Sequence, residues 1–100
     1  MPRPSASDDF SARLLSRTGT PVVDLPGSSY PSIVLSGDDL NRFVVDARRA
    51  LALLYSGDGE ACAYMLDDVV ERLMKLRSDY ECTLREAGRL TPYVPGRDRL

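Results

Sequence analysis

Between Asp58 and Ala87 the chain runs for about 30 residues with no proline and one glycine, Gly59, near its start. At about 100° per residue, a single apolar stripe emerges: Cys62, Met65, Leu66, Val69, Val70, Leu73, Leu76, Tyr80, Leu84 and Ala87. Asp67, Asp68, Glu71, Lys75, Ser78, Asp79 and Glu86 occupy the other side. The pattern predicts one helix, roughly 45 Å long at about 1.5 Å per residue. A stripe of that length cannot be covered by its own helix. Another helix has to lie along it, and this requirement organises the reading of the remaining chain.

The companion lies immediately upstream. Ser36-Gly37-Asp38-Asp39 is a helix start: Ser36 can cap, Asp39 stands at the capping-box position, and both acids suit the positive helix end. The helix is expected to reach Leu54 or Tyr55. Its main face is read as Leu40, Phe43, Val44, Ala47, Ala50, Leu51 and Leu54, with Val45, Ala52 and Leu53 directed elsewhere. Ser56-Gly57-Asp58-Gly59 then offers a C-cap glycine and a new N-cap in Asp58. A link this short predicts an antiparallel hairpin, in the manner of a two-stranded coiled coil. The longer helix overhangs its partner by about three turns. That overhang needs cover from another segment or another chain. Asp68 with Arg72, Glu71 with Lys75 and Glu81 with Arg85 are spaced to pair along an exposed face.

Upstream, Ser7-Asp8-Asp9 looks like a cap followed by first-turn acids, and Phe10 and Leu14 are one turn apart. A short helix over Asp8–Ser16 is expected, docked through Phe10, Leu14 and Leu15. From 18 to 36, Pro21, Pro26, Gly27 and Pro31 forbid a helix. Val22-Val23 and Ile33-Val34-Leu35 are either strands paired around Pro26-Gly27 or extended arms packed on the helices. Gly88 ends the long helix, and Pro92 and Pro95 keep it from resuming. Residues 1–6 and 97–100 read as flexible tails. The expected fold is thus one small all-α, or nearly all-α, domain: a helical hairpin with a long C-terminal helix, a short N-terminal helix and an extended Pro/Gly-rich connector.

The chain contains no histidine, which removes the commonest general base and metal ligand. No phosphate-binding glycine loop, dinucleotide fingerprint or paired-cysteine metal motif is present. Cys62 and Cys82 fall about 30 Å apart on one helix, too far to bridge, with Cys62 expected inside and Cys82 at the surface. The net charge of −2 argues against a whole-chain grip on nucleic acid or an acidic membrane. No apolar run is long enough to span a bilayer, and Met1–Ser5 lacks an apolar signal core, so a cytoplasmic protein is expected.

These features suggest a small non-enzymatic, accessory or regulatory protein that works by binding another protein, is a homodimer, and uses no cofactor or metal. The anchors expected to carry the contact are Tyr64 and Met65 at the hairpin tip, with Leu73, Leu76, Tyr80 and Leu84 along the stripe. Two other classes compete. Ser32-Ile33-Val34-Leu35-Ser36, followed by a capped helix, a glycine turn and a second helix, resembles a ribbon-helix-helix repressor over about Tyr30–Arg77. That resemblance implies a strand from each subunit reading the DNA major groove. The strand presents Ser32 and Val34, with no basic or amide side chain for base edges. Alternatively, Asp46, Asp67, Asp68 and Glu71 would have to gather a divalent cation, as acids on facing helices do in all-helical nucleotide hydrolases. Asp68 and Glu71 point away from the stripe, which favours a solvated acidic face.

Overall fold

The computed structural model describes residues 11–16 and 19–96. The proposed tails at 1–6 and 97–100 lie outside the described residues, as do Asp8, Asp9 and Phe10. The chain divides into two units: Met1–Val34 with Tyr80–Leu100, and Leu35–Asp79. The elements in chain order are β1 (Arg13–Ser16), β2 (Val22–Asp24), β3 (Ser32–Ile33), α1 (Gly37–Tyr55) and α2 (Gly59–Glu86).

The fold is not all-α. The three strands form one antiparallel sheet in the order β1-β2-β3, which overturns the all-α expectation. The expected N-terminal helix over Asp8–Ser16 is replaced, at Arg13–Ser16, by β1. β1 pairs Arg13 with Asp24, Leu14 with Val23 and Ser16 with Val22, with an irregularity between Leu14 and Ser16. The physical reason is nucleation. A helix of two turns is unstable by itself in water. A neighbouring strand supplies hydrogen bonds at once, while the irregularity leaves Leu15 free to pack on Val22 and its neighbours. The 18–36 connector, read as strands or arms, holds β2 and β3, paired Val22 with Ile33 and Val23 with Ser32. One more bond continues the ladder, from the Val34 N–H to the Pro21 carbonyl at 2.8 Å. Leu25-Pro26-Gly27-Ser28 makes the turn after β2, closed by the Ser28 N–H on the Leu25 carbonyl at 3.2 Å, with Gly27 at φ +79°. Proline then glycine is the pair such a turn demands.

In the first unit the core is small. Val22 and Leu84 are wholly buried and Tyr80 nearly so, with Leu15 packed against them. The Tyr80 hydroxyl donates to the Pro31 carbonyl at 2.7 Å, so the buried phenol and the buried carbonyl satisfy each other. The α2 overhang therefore takes its cover from the extended connector. α2 stops where predicted. The Gly88 N–H bonds the Arg85 carbonyl at 3.1 Å and the Arg89 N–H bonds the Leu84 carbonyl at 2.8 Å. Gly88 sits at φ +69°, completing a Schellman cap.

The second unit is the helical hairpin. Ser36 caps α1 through its hydroxyl, which accepts the Asp39 N–H at 3.1 Å. The turn is a second Schellman cap: the Asp58 N–H meets the Leu53 carbonyl at 2.9 Å and the Gly57 N–H meets the Leu54 carbonyl at 3.1 Å. The Asp58 carboxylate then accepts the Ala61 N–H at 3.1 Å and opens α2. Capping residues thus set both ends of the turn, and the chain reverses within three residues, 56–58.

Candidate interaction surface

The seam of the hairpin is marked by what is buried. Ala50, Cys62 and Val69 are buried, and Phe43, Asp46, Leu53, Met65, Arg72 and Leu76 are half-buried. On α1 this seam steps 43, 46, 50, 53; on α2 it steps 62, 65, 69, 72, 76. Those are three-and-four spacings, which track one side of a helix. An ion pair crosses the seam: Arg72 Nη2 lies 2.5 Å from Asp46 Oδ2. The same guanidinium stands over the Phe43 ring, 4.8 Å from its centroid. Its Nε faces Asp68 at 3.1 Å as an ion pair without hydrogen-bond geometry, the i,i+4 pairing expected from the sequence. The Lys75 ammonium lies 3.4 Å from Asp79.

Because the seam is turned this way, much of the apolar surface lies outside it. On α1, Leu40, Val44, Leu51 and Leu54 are exposed, about half of each side chain reaching solvent. On α2, Leu66, Val70 and Leu73 are in the same state. Sequence reasoning placed the α1 set against the long helix and sent Leu53 away from it. Ala50 and Phe43 of the expected face do lie in the seam, buried and half-buried, but Leu53 joins them there in place of Leu40, Val44, Leu51 and Leu54. This rotation goes with the Asp46–Arg72 pair, which stands in register on the facing helices 26 positions apart and has no short-range signal.

Each exposed set lies about 90° from its seam, in the same rotational sense on the two helices. The helices run antiparallel, so equal rotations bring both sets to the same side of the hairpin. The result is a two-helix layer with one apolar broad face. The opposite broad face carries Arg42 and Arg49 on α1, and Asp68 and Lys75 on α2.

The six anchors named from the sequence separate into four settings. Tyr80 and Leu84 belong to the buried core of the first unit. Met65 and Leu76 are half-buried along the seam. Leu73, 46% exposed, joins the apolar broad face. Tyr64 is 82% exposed on the far side of α2. Beside it, a shallow groove of about 470 Å³ runs between Leu53, Asp58, Glu60, Ala61 and Met65. Tyr55, 79% exposed, is a further aromatic near the turn.

The acidic side chains weighed as a cation site do not gather. Asp46 and Asp68 are held by Arg72, and among the described residues no group of three His, Cys, Asp or Glu stands close enough to share an ion. The strand that precedes α1 is already paired inside the chain, with β2. Cys62 is buried and Cys82 half-buried, and both are free thiols. No helix among the described residues is long and apolar enough to cross a membrane. Three shifted groups lie in the first unit. Hydrogen bonding to Arg89 lowers the Asp24 carboxyl below its ordinary 3.8 and raises the Arg89 guanidinium in return. Burial raises the Tyr80 phenol above its ordinary 10.0.

A family model described as a family of unknown function (DUF6959) matches residues 8–93, and the chain belongs to that family. No curated protein matches the chain, and no solved structure matches it.

Proposed function

We propose that this member of the family is a small, non-enzymatic, cytoplasmic accessory or regulatory protein that acts by binding protein through its helical hairpin. The observation that carries the reading is the one-sided apolar layer. Leu40, Val44, Leu51 and Leu54 on α1 continue into Leu66, Val70 and Leu73 on α2, and all are exposed. A soluble helix layer normally buries such a face against a second layer. A contiguous exposed patch of this kind marks an interaction site. The absence of histidine from all 100 residues accords with binding rather than acid–base catalysis. Tyr64 supplies a separate aromatic anchor of the type that dominates binding energy when a partner buries it.

Site-specific photo-crosslinking in the source cells tests the proposal. A benzophenone side chain is placed at Val44, Leu51 or Val70, with Arg42 and Asp68 on the opposite face as controls. Covalent adducts to protein are expected from the three apolar positions and not from the controls. Absence of adducts from all three overturns the binding role.

A further inference from the structure

We infer that the apolar broad face of the hairpin is covered by a second copy of this chain, so that two hairpins stack into an antiparallel four-helix bundle. This rests on the reading above and names the occupant of that surface.

Area is the first argument. The exposed parts of the seven face residues amount to roughly 600 Å² per copy, and about 1,200 Å² for two copies, within the range of specific interfaces. The face is made of leucine and valine spaced three, four or seven residues apart along each helix. Four-helix bundles are built from two such layers with short connections.

Charge decides the arrangement. About 90° further round α1 from its exposed stripe lies Arg48; the matching flank of α2 carries Asp67 and Glu71, and all three are exposed. Two face-to-face two-fold arrangements are possible. With the axis perpendicular to the helices, α1 lies on α1 and α2 on α2. Arg48 then meets its own copy, and the acidic flanks of the two α2 helices face each other. With the axis parallel to the helices, each α1 lies antiparallel on the partner's α2 at the height already set by the Asp46–Arg72 pair. Arg48 then stands level with residue 70 of the facing helix, between the partner's Asp67 and the partner's Glu71. Every adjacent pair of helices is antiparallel in both arrangements, but only the second satisfies, at both symmetry-related edges, the charges that the first sets against each other.

Sedimentation equilibrium of the full chain over a wide concentration range, with helicity followed by circular dichroism, tests the proposal by charge exchange. The wild type is expected at twice its 11.0 kDa chain mass. Arg48→Glu alone, and Asp67→Arg with Glu71→Arg alone, each weaken self-association by at least about tenfold while staying helical. Mixing those two variants restores a 1:1 pair, because both edges become complementary again. Two results overturn the inference: a wild type that remains monomeric at every concentration, or variants whose mixture pairs no better than either alone. A monomeric chain that still forms photo-adducts with a different protein from Leu51 overturns only the second copy. Loss of all adducts overturns the binding role itself.

Discussion

Arg89 holds Asp24 with two hydrogen bonds, Nη1 to Oδ2 at 2.7 Å and Nη2 to Oδ1 at 3.1 Å, joining residues 65 positions apart. The bond is a consequence of the α2 cap. Gly88 turns the chain into the left-handed region, and the side chain of the next residue, Arg89, reaches Asp24 at the end of β2. The helix end thus locks the strand that covers it.

This pair sets an acid limit. Arg89 lowers the folded-state pKa of Asp24 below its ordinary 3.8. The stabilisation is therefore fully present above 3.8 and is lost as pH falls through the lower, folded-state value. Thermal melts from pH 6 down to pH 2 are expected to show a falling melting temperature, part of which Asp24→Asn removes. An unchanged acid profile in Asp24→Asn would mean the pair contributes nothing.

Tyr80 sets a corresponding alkaline limit. Its raised folded-state pKa favours the protonated phenol in the fold, so stability is complete below 10.0 and declines as pH rises through the folded value. Tyr80→Phe removes that dependence. It also strands the buried Pro31 carbonyl, at an expected cost of about 1–3 kcal/mol in chemical denaturation at neutral pH.

Leu84 and Leu73 are expected to respond oppositely to truncation. Leu84 is fully buried, and Leu84→Ala costs about 2–5 kcal/mol at any protein concentration. Leu73 is 46% exposed, and Leu73→Ala costs under about 1 kcal/mol in dilute protein. Under the proposed pairing of two copies, the Leu73→Ala loss is expected to grow when denaturation is repeated at rising protein concentration. A Leu73→Ala cost that is large and independent of concentration would place this residue in the chain's own core.

Gly57 holds the hairpin turn at φ +88° with nothing within 4 Å of where a Cβ would stand. Gly57→Ala should therefore cost only the backbone strain of that conformation, about 1–2 kcal/mol, without steric repair elsewhere. Asp58→Ala should cost about 1 kcal/mol through loss of the cap on Ala61. Urea denaturation of both variants checks the two figures, and a loss well above them would show that the turn is held by more than its caps.

Local chemistry was legible in the chain. Ser36, Gly57, Asp58 and Gly88 mark helix ends because their side chains or their freedom at positive φ satisfy backbone groups within a few residues. α1 and α2 consequently begin and end within a residue or so of expectation. Distant partners were not legible. Arg13–Ser16 has a helical pattern, but β2 offers it a ladder of hydrogen bonds that no short-range signal announces. The rotation of the hairpin escaped for a related reason. Two apolar stripes overlap on α1, and periodicity alone cannot say which one meets α2.

By itself, then, the sequence determined two capped helices joined by a tight turn, an overhang in need of cover, and a chain without histidine. Each follows from interactions within one or two helical turns. Only the tertiary structure decided that the overhang is covered by a small sheet, that Tyr80 and Leu84 are core, and that Leu51 and Leu73 face outward. Those outcomes depend on pairings between residues tens of positions apart, Asp24 with Arg89, Pro31 with Tyr80 and Asp46 with Arg72, whose energies exist only once the chain has brought them together.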